Sequence, residues 1–319
     1  MILKYSTTLT CVANTMRLAN YVKNNTARVG LVHKGIIYDL LDSERELGIS
    51  HPTRTNPFTV GKILSNASLG PIERIEGKVY GLEAGIPIES TTFLSPILDP
   101  EKIVLVARNY ASHSRELTVK PPSEPYFFTK LRNALIGSGQ PILIPRISKA
   151  VDWEVELVVV IGKTGKYISK RDAMDHIAGY TISNDISFRD LQYSAGSPDR
   201  RTAFGMDWVK GKGLDSSFPL GPWLVTKDEI EDPHNLDVSL SVNGEIKQHS
   251  NTREMIFKID SLIESASTGI TLKPGDIIST GTPEGVAASS GGPFLKDGDI
   301  VECTISGIGT LRNPVKLEQ

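Results

Sequence analysis

Glu154 and Glu156 alternate within DWEVELVVVI at 152 to 161, at a spacing that sets two carboxylates side by side. Side chains alternate faces along a strand, so these two point one way while Val155, Leu157 and Val159 point the other. An isolated Glu-x-Glu is most simply the wet face of an edge strand. Here an unbroken apolar run, Leu157 to Ile161, follows at once, and such a run suits burial on both faces. Two like charges side by side in a core are costly unless a cation neutralises them. A second apolar segment, Tyr180 to Ile186, carries Asp185 within ISNDIS, and a neighbouring strand would bring this third carboxylate to the same place. Three oxygen ligands without sulfur or imidazole suit a hard divalent ion, Mg2+, Mn2+ or Ca2+, rather than zinc or copper.

The elements that must hold these carboxylates read mainly as strands: 103–106, 142–144, 154–161, 179–186, 236–242, 276–280 and 299–305. Asn243-Gly244 is a hairpin turn. Two helices are expected: 170–177, begun by Ser169 with Asp172, and one begun by Asn251 with Glu254. The second would carry Ile256, Ile259, Ile263 and Ala266 on one face and stop at Gly269. The first ninety or so residues alternate short apolar runs with polar turns and end in SPILDPEKI, where two prolines mark a boundary near residue 100. The expected fold class is α+β, with a small N-terminal domain at 1–99 and a sheet-rich catalytic domain at 100–319.

Composition excludes several classes. Lys plus Arg is 35 and Asp plus Glu is 37, a formal charge of -2 in 319 residues, so the basic footprint of a nucleic-acid binder is missing. No apolar run approaches the ~20 residues of a membrane span. Cys11 and Cys303 lie at opposite ends with no metal-ligand spacing around them, which points to incidental thiols in a reducing compartment. A cytoplasmic chain is expected, with a mitochondrial one as the alternative, because no acidic residue precedes Asp39 while Lys4, Arg17, Lys23 and Arg28 do. No repeat or low-complexity tract is present, and residues 1–15 are assigned no role.

From residue 101 to 316 the chain resembles the fumarylacetoacetate hydrolase family, most closely its acylpyruvase and oxaloacetate decarboxylase branch. The segments that carry the resemblance are RNYASHSRE at 108–116, DWEVELVVVIGK at 152–163, GYTISNDISFRDLQ at 179–192, GKGLDSSFPLGPW at 211–223, VNGEIKQ through GDIISTGTPEGV at 242–286, and the closing FLKDGDIVECTISGIGTLRNPV. The resemblance implies a mixed β-sandwich roll for the larger domain, and a homodimer formed through that domain. It implies Glu154, Glu156 and Asp185 as metal ligands, in agreement with the strand argument, and a His-x-x-Glu dyad at His113 and Glu116. Three residues apart, the dyad's side chains meet across one helical turn, so that the carboxylate orients the imidazole as a base. Lys212 matches the family's active-site lysine, placed to stabilise an oxyanion or enolate. Arg108, Gln192 and Thr282 match positions that line the substrate site. Two residues depart from the family pattern: Ala107 stands where glycine is usual, and Gly211 precedes Lys212. The segment 194–210, rich in charge and glycine, reads as a loop near the site.

The implied activity is divalent-metal-dependent hydrolysis of a carbon-carbon bond in a small 1,3-dioxo acid of the acylpyruvate type, with His113 activating water. Oxaloacetate decarboxylation and keto-acid tautomerisation or isomerisation are alternatives, because an enolate-stabilising metal serves each of them. A non-catalytic metal-binding module is the rival from another class. The expected partner is a small keto acid, with neither nucleic acid nor membrane.

Overall fold

The computed structural model describes residues 16–48, 59–65, 72, 78–80, 82, 85–116, 120–192 and 206–319, with the backbone alone for Ser65 and 113–115. Residues 1–15, with Cys11, and residues 194–205 of the expected loop lie outside the described residues. No described helix is long and apolar enough to cross a membrane.

One long mixed sheet runs in the order Gly85–Pro87, Ile36–Asp39, Thr26–His33, Arg17–Lys23, Phe218–Thr226, Ile177–Asn184, Val155–Ile161, Ile277–Ser279, Ile103–Ala107, Tyr126–Thr129. Ile277–Ser279 lies parallel to Ile103–Ala107, and the other neighbours along this path are antiparallel. A second sheet orders Glu245–Asn251, Asp237–Val242, Ile300–Ile305, Gly309–Leu317 and Ile142–Ile144. The N-terminal strands join the large sheet through Leu18 opposite Leu224.

Val155–Ile161 is buried at every residue, and its alternation divides the core. Val155, Leu157 and Val159 pack in one cluster with Leu240, Cys303 and Leu311 of the second sheet. Val158 and Val160 pack in another with Leu40 and Ile63 from the helices Leu40–Glu46 and Val60–Ser65. Sheet-on-sheet packing thus covers one face and short helices the other, the sheet-rich α+β arrangement expected from the sequence.

Each strand read from the sequence is present to within about two residues, and Asn243-Gly244 forms its hairpin with φ of 53° and 81°. Phe218–Thr226 escaped the reading because Pro219 and Pro222 interrupt it, and proline is rare inside sheets. The helices differ more. The expected helix 170–177 is only a 3-10 turn, Ala173–His176. Asn251 caps a separate 3-10 turn, and the second helix runs Ile259–Ser267 without Ile256. Buried Asn109 is the reason: its backbone carbonyl accepts from Ile256 N, while its amide accepts from Phe257 N and donates to Phe257 O, at 2.8–3.0 Å. The backbone there is committed elsewhere, so the helix starts after it.

That later start is capped from a distance, since Ile259 N donates to His234 Nε2 at 3.1 Å. Burial, and then the Lys258 charge, hold the His234 imidazole below its ordinary pKa against Asp232 and Asp260. The proton therefore prefers the unfolded chain. This contribution is present above the ordinary imidazole range and is lost as pH falls through and below it. Wild-type stability is expected to drop by about 1 kcal/mol, the worth of a helix cap, between roughly pH 7 and 5, relative to His234→Gln, which keeps an acceptor and cannot titrate. Parallel melting curves across that range would disprove the cap.

Candidate active site

The antiparallel pairing of Val155 with Asn184 sets Glu154 beside Asp185, and Asp185 N donates to Glu154 O at 2.8 Å. Glu156 shares the face of Glu154, as the alternation requires. Carboxylate oxygens of all three lie within 4.8 Å of one another, and all three residues are buried. Glu156 Oε2 accepts from Ser279 Oγ and from Gly281 N. Gly281 adopts φ of +91°, and a Cβ there would press on Asn109 at 2.9 Å, so this amide needs glycine. Burial, followed by the charges of Asp185 and Glu154, pushes the Glu156 carboxyl well above its ordinary pKa. Asp185 Oδ1 is buried with no hydrogen-bond partner in geometry among the described residues, in contact with the Lys130 ammonium as an ion pair at 2.9 Å. An all-oxygen, mutually repelling, buried donor set of this kind fits a divalent cation.

Three cations stand against the cluster. Lys212 Nζ donates to Glu154 Oε2 at 2.8 Å and Asp185 Oδ2 at 2.7 Å. Burial opposes its charge, but Asp185 and Glu154 outweigh burial and raise its pKa above the ordinary value. Arg189 reaches Glu154 Oε1 at 2.6 Å and Asp152 Oδ2 at 2.8 Å. Asp152 also accepts from the amides of Ala287 and Ala288, which ties this chain of charges to the loop that follows Thr282. Lys130 is fully buried and donates to Ile186 O, Lys212 O and Ser217 O. Burial pushes its ammonium down to about 8 against the pull of Asp185. Sequence reasoning missed Lys130, Asp152 and Arg189, since single charged residues read as solvated surface. The only hint was a few apolar neighbours, Val151 and Trp153 beside Asp152 and Phe127 and Phe128 shortly before Lys130.

A cavity of about 430 Å³ opens over the cluster, lined by Glu154, Glu156, Lys212, Arg108, Gln192 and Thr282 among others. The structure thus brings together the three acidic residues, Lys212 and the three expected substrate-facing residues. Arg108 sits in the left-handed region at φ of 57°. Thr282 Oγ1 accepts from buried Gln248, whose amide also bonds Val155 N, Pro283 O and Glu284 O. Gln192 Oε1 accepts from Arg189. Glu116 turns to the start of the short helix Ala287–Ser290, where its Oε1 accepts from Gly285 N at 2.9 Å and Ser289 Oγ at 2.6 Å. His113 lies in the same helix, Ala111–Glu116, but its side chain is outside the described residues.

The C-terminal part of the expected loop is structured: Trp208–Lys212 is a short helix that Asp207 caps by accepting from Lys210 N. Its Gly211 has no room for a side chain, since a Cβ would stand 2.5 Å from Gln192 Cβ. Gly211→Ala is therefore expected to displace Gln192 and lower kcat/KM by about tenfold, although alanine is the better helix former. Unchanged kcat/KM with a higher melting temperature would show that the contact relaxes freely.

Comparison with known proteins gives concordant matches. The family model described as fumarylacetoacetate hydrolase, C-terminal, matches residues 102–316. Oxaloacetate tautomerase FAHD2A, mitochondrial, of Bos taurus is 48% identical over 231 residues, 72% of this chain and 71% of that protein. Among solved structures, maleylpyruvate hydrolase from Sphingobium sp. SYK-6 in complex with manganese and pyruvate superposes with a TM-score of 0.74 at 31% identity, covering 95% of this chain and all of that one. Fumarylacetoacetate hydrolase from Exiguobacterium antarcticum gives a TM-score of 0.73 at 29% identity, with 95% of this chain and 100% of that one covered.

Proposed function

The chain belongs to the fumarylacetoacetate hydrolase family, and from that premise we propose that it passes a small 2-oxo acid through an enolate, with keto–enol tautomerisation of oxaloacetate as its reaction. The observation that carries this is the Lys212 ammonium on the buried acidic cluster, at the floor of a cavity that Arg108, Lys120 and Arg189 also line. These cations draw in an anionic acid. The 48% identity to an oxaloacetate tautomerase supports the choice of substrate.

A divalent cation held by Glu154, Glu156 and Asp185 supplies, when bound, a Lewis acid for the oxygens of the oxo acid. We take it to be Mg2+, with Mn2+ supported by the maleylpyruvate hydrolase complex. Lys212 donates a hydrogen bond to the oxygen on which enolate charge develops. His113, oriented by Glu116, takes the proton from the carbon next to the ketone and passes it on through water to the enolate oxygen, which completes the enol. Thr282 and Gln192 hold the acid's remaining oxygens, and Arg108 its outer carboxylate. The mitochondrial relative supports a mitochondrial address over a cytoplasmic one.

A second reading, hydrolytic cleavage of acylpyruvates, is favoured by the structural likeness to maleylpyruvate hydrolase and by a cavity in the size range that holds drug-sized ligands. The test is turnover by EDTA-stripped protein with and without Mg2+ or Mn2+. Oxaloacetate is followed for enol decay and CO2, and acetylpyruvate for pyruvate. Metal-restored tautomerisation that Glu154→Gln abolishes is expected. Cleavage of acetylpyruvate alone would select the second reading, and silence on both acids would leave a binding module.

A further inference from the structure

The wall of the cavity that leads away from the acidic cluster is aromatic. Tyr126 and Phe128 share one face of the strand Tyr126–Thr129, two residues apart. Trp208 and Lys212 share one face of the helix Trp208–Lys212, four residues apart. These faces meet in the cavity. Lys212 Nζ lies 5.4 Å from the Phe128 ring centre. Phe128 stacks on Trp208 at 4.5 Å and 22°, and Tyr126 tilts against Trp208 at 6.2 Å and 45°. The strip begins at a lysine that is 2% exposed and bound to Glu154 and Asp185, and it ends at a tyrosine that is 55% exposed. Its direction is therefore from the acidic cluster outward, with Met206 and Pro122 lining the same space.

Tyr126 is exposed and the Phe128 and Trp208 rings are half-buried where they line this opening, so a flat apolar group laid against them would take aromatic surface out of water. The spacing says how long that partner is. Four residues, just over one helical turn, separate Trp208 from Lys212, a rise of about 6 Å, roughly four to five carbon–carbon bonds of an extended chain. An oxo acid held by its head at the cluster, with its ketone oxygen at Lys212, would place the substituent on its fourth carbon beside Trp208.

We propose that Phe128, Trp208 and Tyr126 form a distal subsite for an aromatic ring, so that the cavity takes a 2,4-dioxo acid bearing an aryl group on C4 in preference to one bearing methyl. This rests on the proposed binding of the oxo-acid head at the cluster. A methyl tail would leave the strip uncovered, whereas an aryl tail takes part of its aromatic surface out of water.

The experiment compares benzoylpyruvate with acetylpyruvate on the full chain loaded with Mn2+, as kcat/KM for whichever reaction occurs. The phenyl acid is expected to be preferred by about tenfold or more. Trp208→Ala should bring the ratio close to one and Trp208→Phe should keep most of it. Tyr126→Ala, on a separate element, should lower it about threefold, and it serves alone if Trp208→Ala does not fold. The ratio is read within each variant, so a general loss of activity does not imitate the effect. A wild-type ratio near one, or a ratio that these variants do not move, overturns the subsite. If both acids turn over without preference, the subsite fails, and the oxaloacetate assay decides the proposed function separately. If neither turns over, dissociation constants of the two acids from calorimetry decide the subsite by the same ratio, and the proposed function again rests on oxaloacetate.

Discussion

Lys130→Met is expected to destabilise the metal-free protein by about 3–5 kcal/mol, the range seen when one partner of a buried ion pair is removed. The side chain has no solvent exposure, so nothing replaces its contacts. Three carbonyls, those of Ile186, Lys212 and Ser217, lose a donor together, and Asp185 keeps a buried charge without the ammonium 2.9 Å away. Methionine has nearly the shape of the lysine stem, which confines the loss to charge and hydrogen bonding. A drop in melting temperature on the order of 10 °C follows for a protein of this size. A divalent cation binds the same carboxylates and restores positive charge at Asp185, so added Mn2+ should raise the melting temperature of the variant by more than it raises that of the wild type. Thermal unfolding with and without Mn2+ checks both statements. An equal Mn2+ shift in the two proteins would reduce Lys130 to a prop for the loop at 212–217.

The contrast between Lys130 and Glu156 explains what the sequence discloses. Glu156 stands inside a periodic strand whose apolar run says that its face is buried, so its charge demands a partner. Register then brings Asp185 to the same place, because antiparallel pairing fixes every residue once one pair is set. Lys130 lies at the end of a four-residue strand before a 3-10 turn, where lysine is ordinarily solvated. It is buried because Ile186, Lys212 and Ser217, 56 to 87 residues away, fold over it, and no local pattern records such a meeting. The same holds for Asn109, which delays the helix at 259 through contacts 148 residues distant. The fold class and the acidic cluster were legible because periodicity encodes them. The counter-charges were not, since long-range closure creates them. Arg108, Gln192, Thr282 and Lys212 became candidates only through the family resemblance, and the cavity wall unites them.

Lys212→Met separates the two tasks a lysine performs when it sits on a metal-type site. In the structure the ammonium bridges Glu154 and Asp185, so it neutralises the carboxylates, and under the proposed function it also stabilises an enolate. Neutralisation is a task that a divalent cation takes over, whereas hydrogen-bond donation to the substrate oxygen is not. With saturating Mg2+ or Mn2+, kcat is expected to fall by about 10²–10³, the usual cost of losing one preorganised donor to a developing oxyanion. Affinity for the metal is expected to hold or rise, because a competing positive charge has left the ligands. Glu154→Gln should do the reverse, weakening metal binding in calorimetric titration through the loss of a charged ligand. Methionine is the right replacement because it keeps an apolar stem against the Phe128 ring, 5.4 Å from the lysine nitrogen. Near-wild-type kcat in metal-saturated Lys212→Met would mean that the lysine is only a counter-charge for Glu154 and Asp185, and that enolate stabilisation has to come from elsewhere in the cavity. A kcat loss without loss of metal affinity would assign Lys212 to the chemistry and the three carboxylates to the metal.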